Sequence, residues 1–278
     1  MSKSELWDRL ENQITGMVNA FPGVAGVCVQ DLKRGDGFAI NSDVIFPTAS
    51  TIKIHVLTQL LLRQERGEID LAEAVKLGPE VHVPGSGVLT YLDGDFELSR
   101  LNIAILMIIV SDNTATNLCI DWAGMEATNA LLRDLGLERT TVRRKMQDQE
   151  AVARNEENVS TPAELVKMMA LLYQDKPTAS VAENCLAILK KEKRGPLFNK
   201  AIPMTTQLAN KPGGMERVRC DAGIVYLERR PYAMSVMTKF ALCEPPEQER
   251  FIIDAARTIH QTMVVLDSTS DYGQGIPR

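Results

Sequence analysis

Ser50 and Lys53 lie three residues apart at the start of an apparent helix, and this pair of side chains suits nucleophilic chemistry. Residues at this spacing share a helix face, so the lysine ammonium can reach the serine hydroxyl. A desolvated, neutral lysine can take the proton of that hydroxyl and make the serine a nucleophile. An S-x-x-K pattern nevertheless arises by chance roughly once in a chain of this length. The pair therefore indicates a nucleophile only if other motifs accompany it.

Two further motifs follow the S-x-x-K pair. Ser111-Asp112-Asn113 separates two predicted helices, and such a tripeptide is expected by chance in only about one chain of this length in twenty. Its simplest alternative is a helix cap, because all three residue types are good caps. Lys211-Pro212-Gly213 ends a predicted strand, where the simplest alternative is a turn. The order of the three motifs, at separations of 61 and 100 residues, argues for one shared site.

Hydrophobic periodicity predicts the elements that carry these motifs. Apolar residues recur at helical spacing in the first 20 residues, and segments 24–32 and 37–43 are typical of two strands around a turn. Thr161-Pro162, followed by Glu164, has the pattern of a helix start. The other predicted helices cover residues 50–66, 98–124 with a break at 111–113, 125–136 and 247–265, and the other predicted strands cover 206–213, 219–230 and 232–240.

The order of these elements is one helix, two strands, a helical middle, three strands and a final helix. It predicts an α/β (α+β) fold whose sheet is assembled from both ends of the chain, with a helical lobe inserted between them. We expect a single catalytic domain over residues 1–278. Its sheet lobe would comprise about 1–46 and 203–268, and its helical lobe about 47–202.

Composition excludes several classes of protein. A net charge of −5 and a pI of about 5.4 are not those of a nucleic-acid-binding protein, which normally carries a basic stripe. The five cysteines are scattered and include no C-x-x-C pair, so neither a metal site nor a disulfide framework is expected. The first 21 residues lack the apolar core of a signal peptide, and the longest apolar run, 104–110, is too short to span a bilayer. We therefore expect a cytoplasmic protein without nucleic acid, membrane, metal or other cofactor.

The three motifs together resemble those of the penicillin-recognising serine enzymes, and within them the class A β-lactamases. That family carries S-x-x-K, then S-D-N, then K-T-G. The resemblance covers nearly the whole chain, including the first two strands, the helix that begins at Thr161-Pro162 and the last three strands. It implies a β-lactamase/D,D-peptidase-like fold, in which an antiparallel sheet from both chain ends is flanked by helices.

The resemblance also implies a role for each motif residue. Ser50 would be the acylated nucleophile and Lys53 its general base. Ser111 would relay a proton to the leaving nitrogen. The positive charge of Lys211 would hold Ser111 in place and attract the substrate carboxylate. The other implied substrate contacts come from the Asn113 side chain, from Gly213 and Gly214, from an oxyanion hole made of the Ser50 and Gly214 N–H groups, and from Arg219 as an extra positive charge.

Two departures from the family pattern bear on the expected activity. Pro212 stands where the family usually has threonine or serine, so a hydroxyl that donates to the substrate carboxylate is missing, and proline also lacks an N–H. The second departure lies in the charged stretch 140–158, which the resemblance makes an Ω-loop that walls the active site. In the family this loop carries a glutamate that activates the water for hydrolysis of the acyl-enzyme. Met146 falls at that position.

Other loop residues are candidates for the missing function. Arg144 matches a structural arginine of the family loop, and Glu150 falls on its asparagine position. Because a thioether cannot act as a base, Glu150 or Asp148 is the candidate deacylation base, provided that the loop backbone shifts. Loss of general-base assistance commonly costs about 10²–10⁴ in rate, so acylation would proceed and deacylation would be slow.

Three functions follow from these observations. The first is a serine hydrolase that turns over β-lactams or related cyclic amides through an acyl-enzyme. The alternatives are an esterase or D,D-peptidase with weak lactamase activity, and a penicillin-binding protein that deacylates slowly. A Ser-His-Asp triad is not expected, because His55 points off the face of Lys53 and because His82 and His260 are far from every motif.

Overall fold

The computed structural model describes residues 5–191 and 195–276. Residues 1–4 and 192–194 of the predicted lobes, together with 277–278, lie outside this described part of the chain. The helices are α1 (Glu5–Ala20), α2 (Lys53–Glu65), α3 (Arg100–Ile109), α4 (Asn113–Ala123), α5 (Met125–Asp134), α6 (Gln149–Ala153), α7 (Pro162–Tyr173), α8 (Ala179–Leu189), α9 (Phe198–Ala201) and α10 (Pro245–Ser268). The strands are β1 (Val24–Asp31), β2 (Gly37–Ile40), β3 (Phe46–Pro47), β4 (Ala74–Leu77), β5 (Phe96–Ser99), β6 (Val159–Ser160), β7 (Gln207–Met215), β8 (Val218–Tyr226) and β9 (Tyr232–Lys239).

Five strands form one antiparallel sheet in the order β2-β1-β9-β8-β7. Two of them come from the start of the chain and three from its end, which confirms the predicted sheet. Helices α1 and α10 cover one face, where Trp7 and Ile259 pack with Val27 of β1. The neighbouring residue Gly26 faces the other side, against Pro162 of α7. Helices therefore cover both faces of the sheet.

Helix α2 is the centre of the helical part of the molecule. Its residues 53–62 are all buried, including the polar ones. A helix that is buried on every side lies inside a core rather than on its surface. Leu57 and Leu60 belong to the same core as Ile103 of α3 and Ile120 of α4. The N-terminal end of α2 consequently carries Lys53 into the protein interior.

Two small sheets lie outside the main sheet and were not predicted. β4 pairs with β5, and β3 pairs with β6 through Phe46 and Ser160. The two-residue β3 and β6 are too short to show a strand period. The four-residue β5, with sequence FELS, does alternate apolar and polar residues, but this short run was not recognised as a strand. Among the described residues, no helix is both long and apolar enough to cross a membrane.

Candidate active site

A cleft of about 800 Å³ lies where β7 approaches the 3₁₀ helix Ala49–Ile52 and the turn between α3 and α4. Two of the sites proposed from sequence, Lys53 and Asn113, are 0% and 6% exposed and contact residues of this cleft. Glu150 lies elsewhere. The sequence-predicted residues that line the cleft directly are Ser50, Ser111, Lys211, Gly213, Gly214 and Arg219.

Ser50 is held in a short 3₁₀ turn by the residues around it. Thr48 donates from its backbone N–H and from Oγ1 to the carbonyl of Asn158, at 2.9 and 3.0 Å. Thr51 donates from N and from Oγ1 to the Thr48 carbonyl, at 3.0 and 2.7 Å. Ala49, directly before the serine, has a positive φ of 44°. Ser50 therefore projects into the cleft from a backbone that is fixed on both sides.

Lys53 lies one helical turn further on and is fully buried. Its Nζ donates to the carbonyl and to Oγ of Ser111, each at 2.9 Å. Burial, and then the positive charge of Lys211, lower the pKa of Lys53 well below its ordinary value, although Asp112 and Cys119 oppose this shift. Desolvation penalises the ammonium form because no water surrounds the charge. The site thus favours the neutral amine, which is the form that can accept a proton.

Asp112 fixes the turn that presents Ser111. Its Oδ1 accepts from the backbone N–H of Ala115 at 2.9 Å, which caps α4. Its Oδ2 accepts from the N–H groups of Val88 and Leu89, at 2.6 and 2.9 Å. Ser111 itself has a positive φ of 54°. The capping interpretation is therefore correct for Asp112, and the cap is what aims the neighbouring serine at Lys53.

Asn113 links the α3–α4 turn to the loop that follows β4. Its backbone N–H donates to the carbonyl of Ser86, and its side-chain Nδ2 donates to the carbonyl of Pro84, both at 2.9 Å. Between them, a side chain at Gly85 would collide with the amides of Asn113 and Gln147. This loop, the α3–α4 turn and residue 147 of the charged loop therefore meet beside the cleft.

Strand β7 forms the opposite wall. Lys211 is 1% exposed, and its Nζ donates to the carbonyl of Pro212 at 3.1 Å. A Cβ on Gly213 would lie 2.8 Å from both the Ser50 nitrogen and the Thr48 oxygen. Glycine is therefore required at this position, since only its absent side chain lets the strand approach the serine turn so closely.

Cys220, on the neighbouring strand β8, contacts this region, and the sequence did not single it out. It is buried on β8 opposite Gly213, and its Sγ donates to the Thr48 carbonyl at 2.9 Å. Burial raises the pKa of the thiol to about 12, which keeps it protonated as a donor. No C-x-x-C or other local pattern marks it, because its role follows only from strand pairing.

Arg219 lines the cleft, as predicted, but its guanidinium already has partners. Nη1 donates to the carbonyls of Met215 and Val218, and Nε lies 3.5 Å from Oε1 of Glu249. The side chain also packs over Gly214. Glu249 comes from α10 and itself lines the cleft, a placement that sequence reasoning missed.

The charged stretch is closed at its neck by the pairing of Thr141 with Val159, which gives it the geometry of an Ω-loop. Arg144 is 7% exposed and binds Glu157 through Nε and Nη2, each at 2.9 Å. Asn158 accepts, through Oδ1, from the backbone N–H groups of residues 143 and 144, at 2.7 and 3.1 Å. The neck is thus an ordered polar core rather than a solvated charge run.

Within this loop, two hydrogen bonds fix the backbone of Met146. The nearby carboxylates of Asp148 and Glu150 do not line the cleft. Met146 donates its N–H to Oδ1 of Asn117 at 2.7 Å and accepts from Nδ2 of the same side chain at 3.2 Å. Asp148 caps α6 by accepting from Ala151 at 2.9 Å. Glu150 lies on the exposed face of α6 and does not line the cleft. The structure therefore brings neither carboxylate to Ser50.

Two histidines, His55 and His260, lie in environments that fit a structural role. His55 is fully buried, and burial lowers its pKa to about 4. His260 shares a hydrogen bond of 3.0 Å with the Tyr232 hydroxyl on the far side of the sheet. Over residues 5–191 and 195–276, no group of three or more histidine, cysteine, aspartate or glutamate side chains could hold a metal ion. The cleft is lined by serine, lysine and arginine side chains together with the carboxylates of Glu216 and Glu249.

Comparison with known proteins identifies the family and the fold of the chain. The model of the family described as "Beta-lactamase enzyme family" matches residues 9–263. A β-lactamase of Bacteroides uniformis is 23% identical over 94% of this chain and 93% of its own length. The crystal structure of a β-lactamase from Sphaerobacter thermophilus is 27% identical, with a TM-score of 0.85 over 93% of this chain and 98% of that one. A glutamate-for-leucine mutant of PBP-A, solved as an acyl-enzyme complex with penicillin G, is 26% identical, with a TM-score of 0.83 over 95% and 99% of the two chains.

Proposed function

The chain belongs to the beta-lactamase enzyme family, and from this membership we propose that it hydrolyses β-lactams and related cyclic amides through an acyl-enzyme on Ser50. The observation that carries the proposal is the buried Lys53 amine, one helical turn after Ser50 and 2.9 Å from the Ser111 hydroxyl. The groups that we propose as nucleophile, neutral base and proton relay lie in or beside one cleft. This is the set of groups that acyl transfer to serine requires.

In the acylation step, Lys53 takes the proton of Ser50 as Oγ bonds to the carbonyl carbon. The C–N bond of the amide then breaks, and the leaving nitrogen receives a proton from the Lys53 ammonium through the Ser111 hydroxyl. Lys211 favours this return of the proton because its charge raises the energy of the Lys53 ammonium. The N–H groups of Ser50 and Gly214 are proposed to stabilise the oxyanion, a contribution of about 3–4 kcal/mol for one such donor.

Deacylation is proposed to be the slow half-reaction. A water molecule must lose a proton as it attacks the ester carbonyl, and the loop position that would supply a base holds the thioether of Met146. Asp148 is engaged as a cap, and Glu150 is exposed on α6. Lys53 and Ser111 then have to serve as base a second time. We expect the acyl-enzyme to accumulate, with deacylation about 10²–10⁴ slower than with a dedicated carboxylate.

The alternative of a slowly deacylating penicillin-binding protein is favoured by the same residue, Met146. It is also supported by the likeness to PBP-A, whose glutamate-for-leucine mutant was captured with penicillin G as an acyl-enzyme. The two functions share every step up to the acyl-enzyme and differ only in its lifetime. An esterase or D,D-peptidase would instead show faster turnover of esters than of β-lactams.

Intact mass measured during reaction with nitrocefin and with p-nitrophenyl acetate tests the proposal. We expect a covalent adduct with both reagents and no adduct in Ser50→Ala. Ser180→Ala is the matched control, because it removes an exposed serine of α8 and should react normally. An adduct that survives Ser50→Ala would overturn the nucleophile, and fast nitrocefin turnover without an adduct would overturn slow deacylation.

A further inference from the structure

Glu249 places a carboxylate at the end of the cleft where Arg219 lies. It comes from the second turn of α10, and both residues line the cleft. Its Oε1 is 3.5 Å from Nε of Arg219, and the two side chains are 30% and 18% exposed. The contact is long and partly solvated, so it contributes little to folding stability. Its position in the lining of the cleft is therefore the more informative property.

The groups around Glu249 offer few donors to a negatively charged ligand. The Arg219 guanidinium donates through Nη1 to the carbonyls of Met215 and Val218 and faces Glu249 through Nε. Pro212, which lies between Lys211 and Gly213 on the same wall, has neither a hydroxyl nor an N–H. A carboxylate that entered at this end of the cleft would meet the Arg219–Glu249 pair, whose net charge is zero.

We propose that Glu249 is a specificity-determining residue, and that it makes this site prefer substrates with an uncharged group, rather than a carboxylate, beside the scissile amide or ester. The inference rests on the proposed function, since it concerns the substrate of the Ser50 acylation step. Glu249 acts by offsetting the positive charge of Arg219, which disfavours an anion without adding any contact to the neutral competitor. Lys211 remains the positive charge that an anionic substrate can still use, so the preference is one of degree.

A matched pair of substrates tests the inference. Benzylpenicillin and its methyl ester share the β-lactam and differ in the charge of the group next to the ring nitrogen. The measured quantity is the ratio of their second-order acylation rates, obtained from intact mass in the full-length protein. Glu249→Gln keeps the size and a polar partner for Arg219. We expect this variant to raise the acid-to-ester ratio about tenfold, the size expected for one partly exposed charge a few ångströms away.

Two variants separate this effect from a general change in charge. Glu247→Gln removes an exposed carboxylate two residues earlier on α10, outside the cleft, and is expected to leave the ratio unchanged. Adding Arg219→Gln to Glu249→Gln is expected to abolish most of the gain, because the released guanidinium is what binds the acid.

The outcomes distinguish this inference from the function on which it rests. Acylation of both substrates with an unchanged acid-to-ester ratio in Glu249→Gln would overturn the role of Glu249 alone. An equal rise in Glu247→Gln would overturn it too, because the effect would then be one of overall charge. If neither substrate forms an adduct in the unmodified protein, the serine mechanism itself is refuted, and the inference with it.

Discussion

Gly213→Ala should damage the serine turn directly, because the added methyl has no room. The new Cβ would lie 2.8 Å from the Ser50 nitrogen and from the Thr48 oxygen, and 2.9 Å from Sγ of Cys220. These distances are about 0.6 Å shorter than an ordinary van der Waals contact. Two of the three neighbours are backbone atoms, so relief requires β7 or the serine turn to move.

Because β7 or the serine turn must move, Gly213→Ala is expected to lower both the acylation rate and the free energy of unfolding. A shift of the Ser50 N–H away from its oxyanion position removes one donor, which commonly lowers acyl-transfer rates by about 10²–10³. Overpacking of a buried site adds a loss of about 1–3 kcal/mol in the free energy of unfolding. Acylation by p-nitrophenyl acetate measures the first effect, and urea unfolding measures the second.

Neighbouring Gly214 supplies the control. There an added Cβ would meet only the Arg219 side chain, at 3.1–3.3 Å, and this flexible group can give way. Gly214→Ala should therefore acylate much faster than Gly213→Ala. If Gly213→Ala folds and acylates at close to the normal rate, the close approach of β7 to Ser50 does not position the oxyanion donor, and the reasoning is refuted.

Three other changes have expected outcomes. Met146→Glu should shorten the lifetime of the acyl-enzyme by about 10²–10⁴, as followed by intact mass, and a lifetime that does not change would contradict the loop assignment. Arg144→Ala breaks the pair with Glu157 and should lower the free energy of unfolding by about 2–3 kcal/mol in urea, whereas Arg154→Ala, in the exposed part of the loop, should not. His55 is buried with its pKa lowered from 6.5 to about 4, so the unfolded chain binds its proton more readily. Its contribution is complete above pH 6.5 and is lost as pH falls toward 4, by up to roughly 3 kcal/mol, and His55→Leu should flatten urea-measured stability over that window.

The residues that the sequence identified share a local signal. Ser50 and Lys53 are recognisable because one helical turn joins them, and Ser111 because the S-D-N tripeptide is rare. The antiparallel sheet was predictable for a similar reason, since the strand and helix periods at the two chain ends are clear. In each case a short stretch of chain contains most of the information.

The residues that the sequence missed depend on pairing between distant segments. Glu249 is 30 residues away from Arg219 along the chain, and Cys220 meets Thr48 across 172 residues. Nothing in the local pattern of either residue indicates the contact. Glu150 was proposed as the deacylation base from its position in the loop alone. It lies on the exposed face of α6, which does not support that role. Alignment to a family pattern gives the position of a residue along the chain but not the direction in which its side chain points.

Asn158 connects the Ω-loop to the turn that carries Ser50. Its side chain binds the backbone at 143 and 144, while its carbonyl receives both hydrogen bonds of Thr48, two residues before Ser50. A displacement of the loop neck is therefore transmitted to the serine turn through Asn158 and through the adjacent pairing of β3 with β6. Loop changes that alter the lifetime of the acyl-enzyme are accordingly expected to alter its rate of formation as well. If the two half-reactions proceed as proposed, a change in the loop is expected to affect both of them.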